Sequence, residues 1–133
     1  MNILDIEKQE IDIVLKKFDA KDTFDLLMKI GKEYMKEYHT HPIDINTREG
    51  QKEFRRIAWY IVEELSECCN LMKIREWSKT EMPVDELHLG EEVADLFNFI
   101  SQIPLLLGWS EEKMKDIIIR KYLINKFRKE SQY

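Results

Sequence analysis

Residues 54–72 have the sequence FRRIAWYIVEELSECCNLM, in which apolar residues recur at intervals of three and four. That spacing predicts an amphipathic helix, because an α-helix has 3.6 residues per turn. Asn46 followed by Glu49 resembles a capping box and predicts where the helix starts, and we expect the helix to continue to about Trp77. The predicted apolar face consists of Phe54, Ile57, Ala58, Ile61, Leu65, Cys69 and Met72.

Similar spacing predicts helices on both sides of this stretch. Residues 23–38 form a strong pattern and residues 6–18 a weaker one, with a break around residues 19–22. A further helix is expected at residues 86–107, with Val93, Leu96, Phe97, Ile100, Ile103 and Leu107 facing inward. Ser110 is a good N-cap for a last helix that reaches about Glu130. No long segment alternates with period two, so the sequence predicts an all-α bundle of four or five helices.

The composition agrees with a single helical domain that spans residues 1–133. The chain has 44% hydrophobic residues, enough for a core, and a high charged fraction of 35%. It contains only 4 Gly and 3 Pro, which argues against disorder, a collagen-like repeat and a turn-rich β domain. The formal net charge is −5, and this acidic balance gives no general support for nucleic-acid binding.

The sequence also predicts a cytoplasmic setting without a membrane. No stretch approaches about 18 consecutive apolar residues, the length that a transmembrane helix needs. The first ten residues mix both charges with isoleucines, which is not typical of a signal peptide. Cys68 and Cys69 are adjacent in a helical pattern, which does not suit a bridge between them, so a reducing compartment is the simplest setting.

Two short acidic motifs lie on successive long helices: EELSE at residues 63–67 and EEVAD at residues 91–95. Residues three apart share a helix face, so each motif presents two carboxylates together. If the two helices pack as neighbours, four carboxylates converge and require a cation such as Mg²⁺, which prefers oxygen ligands. The alternative is a solvated acidic face. The four residues are Glu64, Glu67, Glu92 and Asp95.

Other metals fit the sequence less well. A carboxylate di-iron site would require Glu-x-x-His on two helices, and none of the three histidines is placed for it. Zinc bound through Cys68 and Cys69 is disfavoured, because adjacent residues on a helix point about 100° apart.

The last predicted helix is basic. Residues 113–129 contain seven lysines and arginines and one acidic residue, Asp116. Lys121, Asn125 and Arg128 lie at i, i+4 and i+7 and form one stripe of hydrogen-bond donors suited to phosphate oxygens. On its own such a stripe is typical of a solvated face, but beside a carboxylate–metal cluster it would complete a polyphosphate site.

These motifs resemble the signature of the all-α NTP pyrophosphatases, a superfamily that includes MazG-like enzymes, dimeric dUTPases and phage dCTP/dUTP pyrophosphatases. The phage branch is most similar, since its C-terminal pattern Lys-Asn-x-x-Asn-x-x-Arg-Gln-x-x-Gly-Tyr resembles the end of this chain. The residues that match in register are Lys121, Asn125, Arg128 and Tyr133. The residues that depart are Tyr122, Lys129, Gln132 and Asn98, the last where dUTPases often have His.

The resemblance implies hydrolysis of a nucleoside triphosphate, dUTP or dCTP above all, to a monophosphate and pyrophosphate. It implies Mg²⁺ held by Glu64, Glu67, Glu92 and Asp95, with Glu63 or one of the ligands acting on the attacking water. Lys121, Asn125 and Arg128 would hold the phosphates. Trp59 and Trp77 are candidates for base contact, although packing explains them equally well, and Tyr34 and Tyr38 are weaker candidates.

The resemblance also implies a homodimer or homotetramer, since members of the superfamily share helical bundles between subunits. Two alternatives stay open from the sequence. One is a MazG-like enzyme of broad specificity that removes noncanonical nucleotides. The other is a non-enzymatic helical module that binds a basic partner through its acidic face.

Overall fold

The computed structural model of the chain describes residues 3–79 and 81–131. Those ranges contain a short 3-10 helix at Ile3–Asp5 and no β-strand, which confirms the predicted all-α class. None of their helices is long and apolar enough to span a bilayer. The α-helices are α1 (Lys8–Phe18), α2 (Thr23–Glu37), α3 (Arg48–Asn70), α4 (Glu86–Leu106) and α5 (Glu111–Glu130).

Side-chain caps begin α2 and α5 where the sequence predicts helix starts. The Asp22 carboxylate accepts a hydrogen bond from the Asp25 N–H at 2.8 Å. The Ser110 hydroxyl accepts the Lys113 N–H at 3.1 Å. Each cap satisfies an amide group that the first helical turn leaves unpaired. The predicted break before α2 is also confirmed, since Asp19 ends α1 in the left-handed conformation with φ of 48°.

Helix α3 starts one residue later than the predicted cap. Its N-cap is Thr47, whose hydroxyl accepts the Gly50 N–H at 3.0 Å. Asn46 belongs to the turn before the helix, where its own N–H donates to Asp44 Oδ1 at 2.9 Å. That turn is tight: a Cβ atom at Gly50 would lie 1.9 Å from the Asp44 carbonyl oxygen. The position of the cap therefore depends on Gly50, because only a residue without a Cβ atom leaves room for the preceding turn.

The predicted extension of α3 to Trp77 is wrong, because the helix ends at Asn70. The N–H groups of the next two residues bond to carbonyl oxygens three positions back, at 3.2 and 3.0 Å, and close the last turn. Residues 72–77 are all exposed. They bury no apolar surface that would hold a further helical turn in place.

The core lies where α4 packs on α3 and on α2, with α1 against α2. Gly31 on α2 permits a close approach, since a Cβ atom there would lie 2.6 Å from Leu105 Cδ1 on α4. Of the adjacent cysteines, Cys68 is buried and Cys69 is exposed, which corrects the predicted apolar face of α3. The buried apolar residues are Met28, Ile57, Cys68, Leu105 and Leu106.

Four further residues predicted to face the core are instead exposed: Leu65, Met72, Phe97 and Ile100. Phe97 and Ile100 line an apolar cavity of about 850 Å³ between α2, α4 and the first half of α5. The reason for the difference is that α5 packs only weakly on the other helices and leaves this side of α4 uncovered.

Helix α5 itself carries a large uncovered apolar surface. Most of the stability of a helix in a protein comes from packing of its apolar residues, so α5 depends on contacts with another surface. Contiguous exposed apolar area of this kind marks an interaction surface. The exposed apolar residues of α5 are Ile118, Ile119, Tyr122, Leu123, Ile124 and Phe127.

Candidate metal centre

Three carboxylates converge where α3 packs on α4. Glu64 belongs to α3, and Glu92 and Asp95 belong to one face of α4. One oxygen atom from each residue lies within 4.8 Å of the other two, and we call these residues the acidic triad. Glu64 and Glu92 are half-buried, whereas Asp95 is exposed. The arrangement follows from the i, i+3 spacing on α4 and from the direct packing of the two helices.

Negative charge accumulates in the acidic triad. Burial raises the pKa of Glu64 most, and the charges of Asp95 and Glu92 raise it further. The pKa of Asp95 is raised first by loss of water around the carboxylate and then by the charges of Glu92 and Glu91. Every neighbouring charge named here is negative. The triad is therefore stabilised by a bound proton or by a cation.

Glu63 and Glu67 border the triad. Both are exposed on α3, and the charge of each adds to the raised pKa of Glu64. Glu67 lies one turn beyond Glu64, so the two residues share a helix face. Its oxygen atoms are not part of the compact group. The role of Glu67 as a fourth metal ligand and that of Glu63 in catalysis stay predictions.

A histidine orients one triad carboxylate. His88 Nε2 lies 3.0 Å from Glu92 Oε1, one helical turn away on α4. Ligating carboxylates in metal sites commonly have such a hydrogen-bond partner, which fixes their orientation. From the sequence, His88 was expected to matter only as a metal ligand, a role for which it is not placed. Its i, i+4 spacing from Glu92 was the signal that could have identified it as a positioning residue.

The donor set of the triad fits a hard divalent cation. All the ligand atoms are carboxylate oxygens, which Mg²⁺ prefers. With Mg–O distances of about 2.1 Å, adjacent ligands of an octahedral ion are about 3.0 Å apart and opposite ligands about 4.2 Å apart. The triad oxygens, which lie within 4.8 Å of one another, would move closer together to bind such an ion.

The two predicted base-contacting tryptophans are strongly exposed. Trp59 on α3 has 61% of its surface accessible, and Trp77 has 83%. Trp77 lies in the connection between α3 and α4, not at the end of α3 as predicted. Among the described residues, neither side chain forms a ring contact with another aromatic or basic residue. Their assignment to the nucleobase stays a prediction.

The basic stripe of Lys121, Asn125 and Arg128 is exposed along α5. Within the described ranges no hydrogen bond or ion pair joins it to the acidic triad. No basic residue contributes to the raised pKa of Glu64 or Asp95, so a single chain does not bring the stripe against the triad. Tyr133, the last residue of the C-terminal resemblance, lies outside the described residues.

A cavity of about 570 Å³ opens beside the triad, and Asp95 forms part of its wall. Aromatic side chains contribute another part: the ring centroids of Tyr60 and Phe99 lie 5.4 Å apart. Arg56 on α3 and Gln102 on α4 complete two further sides. Tyr34 and Tyr38, the weaker candidates for base contact, also line this cavity. Arg56, Tyr60 and Gln102 could not be predicted from the sequence, since only the packing of α3 on α4 places them beside Asp95.

Comparison with known proteins identifies no counterpart for this chain: no protein-family model, curated protein or solved structure matches it. The site is therefore interpreted from its own residues and geometry. The resemblance carried by the acidic and basic motifs stays a prediction.

Proposed function

We propose that this protein is a Mg²⁺-dependent nucleoside triphosphate pyrophosphohydrolase that produces a nucleoside monophosphate and pyrophosphate. The observation that supports it best is the convergence of the acidic triad from two motifs that lie on different helices. Pyrimidine deoxynucleotides, dUTP or dCTP, are the preferred substrates, because the C-terminal stripe resembles that of the phage dCTP/dUTP enzymes.

Each acidic residue has a distinct role in this proposal. Bound Mg²⁺ would supply a Lewis acid that offsets the charge of the phosphates. Glu64, Glu92 and Asp95 would hold it, and Glu67 would add a fourth carboxylate from the same face of α3. A carboxylate oxygen of Glu63, or of a neighbouring ligand, would accept the proton of the attacking water.

The basic stripe would bind the phosphates from the side opposite the metal. Lys121 contributes a point charge, Asn125 an amide donor, and Arg128 a planar guanidinium that binds phosphate in a bidentate manner. Because α5 packs weakly on its own chain and exposes its apolar residues, we propose at least a homodimer in which a second copy covers this helix. The opposite charges of the stripe and the triad favour a partner arrangement that brings them together.

The direct test is pyrophosphate release from a panel of dNTPs and NTPs, measured with Mg²⁺ and with EDTA. Metal-dependent release from dUTP or dCTP supports the proposal. Release from many nucleotides would favour the MazG-like alternative of broad specificity. Release that is equal in Mg²⁺ and EDTA would contradict the metal assignment.

The non-enzymatic helical module is the second candidate, and the exposed apolar surface of α5 is the observation that favours it. Thermal unfolding separates the two candidates, because a ligand that binds only the folded state stabilises it. At a Mg²⁺ concentration of 100 times Kd, the stabilisation is about 2.7 kcal/mol. A solvated acidic face would show no such rise in the midpoint, and Glu64→Gln should abolish it if the triad binds the ion.

A further inference from the structure

The cavity beside Asp95 is close enough to the acidic triad to hold part of a substrate whose phosphates contact the triad. It lies between α2, α3 and α4, and Asp95 belongs both to its wall and to the triad. A ligand whose phosphates contact the triad therefore has its remaining part next to this opening. The cavity volume of about 570 Å³ is within the range of small-molecule sites.

One wall of the cavity suits a planar ring. Tyr60 from α3 and Phe99 from α4 contact each other at a centroid distance of 5.4 Å with the ring planes tilted by 34°. Aromatic side chains of this kind form stacking surfaces for nucleobases, which all have a flat π-face. The pair joins the two helices that carry the triad, so the wall and the carboxylates are fixed by the same packing.

A second wall presents a fixed cation. The Arg56 guanidinium is paired with Glu53, and its Nη1 donates to the Tyr60 hydroxyl at 3.2 Å. Hydrogen bonding to Glu53 raises the pKa of Arg56, so the side chain stays charged. A guanidinium has five N–H donors. Since Nε and Nη2 donate to Glu53 and Nη1 to Tyr60, one N–H on each Nη remains for a ligand.

A third wall carries two carboxamides. Asn98 and Gln102 lie one turn apart on α4, and both side chains are half-buried in the cavity wall. Among the described residues neither carboxamide has a hydrogen-bond partner. Each offers a donor and an acceptor, which is the chemistry needed to bind the polar edge of a base.

We propose that this cavity receives the nucleoside end of the triphosphate, with the base against Tyr60 and Phe99. Gln102, together with Asn98, selects the base by its hydrogen-bonding edge. Arg56 donates to an oxygen of the nucleotide common to all substrates. The proposal rests on the proposed function for its substrate class, but binding to the cavity is separate from the metal chemistry and is tested separately.

The test measures binding of dCMP, dUMP, dTMP and dAMP in EDTA by isothermal titration calorimetry. Arg56→Gln should weaken every nucleotide by about tenfold, the loss expected for one charge-assisted hydrogen bond. Gln102→Leu should weaken the preferred nucleotide by about fivefold and leave the others nearly unchanged, since only a matching edge loses its partner. The preference between bases then falls by the same factor.

The matched control is Arg55→Gln, which removes an exposed arginine from the adjacent position of α3. It should change each dissociation constant by less than about twofold, as expected when no contact is lost. Arg56→Lys keeps the positive charge but loses the planar set of N–H donors, so its binding should be stronger than that of Arg56→Gln and weaker than that of the wild type. Circular dichroism melts of each variant show whether it folds.

The outcomes for the cavity and for the proposed function differ. Wild-type pyrophosphate release combined with unchanged KM and base preference in Arg56→Gln and Gln102→Leu would overturn the cavity assignment alone. Monophosphate binding that both variants lose, in a protein that releases no pyrophosphate, would support the cavity and contradict the enzyme. Failure of the wild type to bind any monophosphate would overturn the cavity assignment.

Discussion

Helix pair α3–α4 and helix α5 carry the two halves of the proposed site, and the rest of the chain fixes them very differently. The acidic triad lies where α3 and α4 share a packed interface, so its three carboxylates have defined positions. The basic stripe lies on α5, which packs weakly and exposes most of its apolar residues. When the helices that carry a motif pack on each other, one chain fixes the relative positions of its side chains. When the helix is unpacked, contacts with a partner are needed to fix them.

The largest expected effect is on the packed half. Glu64→Gln or Asp95→Asn should lower kcat by more than about 100-fold, because even residues that support metal ligands typically contribute 10- to 100-fold. Pyrophosphate release in Mg²⁺ measures the loss, and far-UV circular dichroism should show helical content close to wild type.

Glu76→Gln is the control for these substitutions, since Glu76 is an exposed carboxylate outside the helices. It should retain full activity. Wild-type turnover in both Glu64→Gln and Asp95→Asn would show that the triad is not the metal site.

The next effect concerns the unpacked half. Lys121→Ala should lower kcat/KM by about tenfold through the loss of one charged contact to phosphate. Mixing this variant with Glu64→Gln shows whether the stripe acts on the triad of its own chain or on that of its partner. If α5 acts on its partner's triad, each mixed dimer regains one complete site, and the mixture approaches about a quarter of wild-type activity.

No gain on mixing would mean that triad and stripe act within one chain. It would require α5 to move against its own α3 and α4. Lys129→Ala provides the control for removing a positive charge from α5, because Lys129 lies outside the stripe. We expect it to change kcat/KM by less than about twofold, as for a surface substitution.

The same contrast explains how much could be predicted from the sequence. The pairing of Glu64 with Glu92 and Asp95 follows from i, i+3 spacing and from the adjacency of two long amphipathic helices, which periodicity predicts. The cap at Thr47 was missed because it depends on a backbone contact between Gly50 and Asp44 that periodicity does not represent. The cavity was missed for a related reason: Arg56 and Gln102 meet only through the register of α3 on α4.

The prediction of inward-facing positions on α4 assumed that the other helices of the same chain cover that side of α4. Phe97 and Ile100 have the spacing of core residues, yet they are exposed, because α5 does not cover them within one chain. Amphipathic periodicity identifies a face to be buried but does not distinguish burial within a chain from burial between chains.

Helix caps offer a smaller test of the contrast. Thr47→Ala should lower the unfolding free energy by about 1 kcal/mol, because its helix is part of the core. Ser110→Ala removes an equivalent cap from α5 and should mainly speed amide hydrogen exchange in the first turn of that helix. Urea unfolding at low protein concentration measures the stability of both variants, and hydrogen exchange measures the local opening of the first turn of α5. An equal loss of stability in both variants would show that α5 is packed as firmly as α3.

The smallest expected effect is the pH dependence of the triad in metal-free protein. The pKa values of Glu64 and Asp95 are raised above their ordinary values of 4.5 and 3.8, so the folded chain holds protons that the unfolded chain releases. Stability from these groups is fully present below the ordinary values and is lost as pH rises through the raised ones. In EDTA at pH 7, Glu64→Gln should therefore raise the thermal midpoint, by no more than about 2 °C for a chain of this size.

That difference should vanish near pH 4, where the wild-type carboxyl is protonated as well. Comparing the variant with the wild type cancels the opposite contribution of Glu53, whose pKa is lowered by its hydrogen bonds to Arg56. Glu76→Gln should show no such pH-dependent difference, because Glu76 lies in the connection between α3 and α4 and is not part of the triad. If Glu64→Gln instead lowered the midpoint at pH 7 in EDTA, the Glu64 carboxylate would be stabilised by a positive group, and the triad would not require a metal ion.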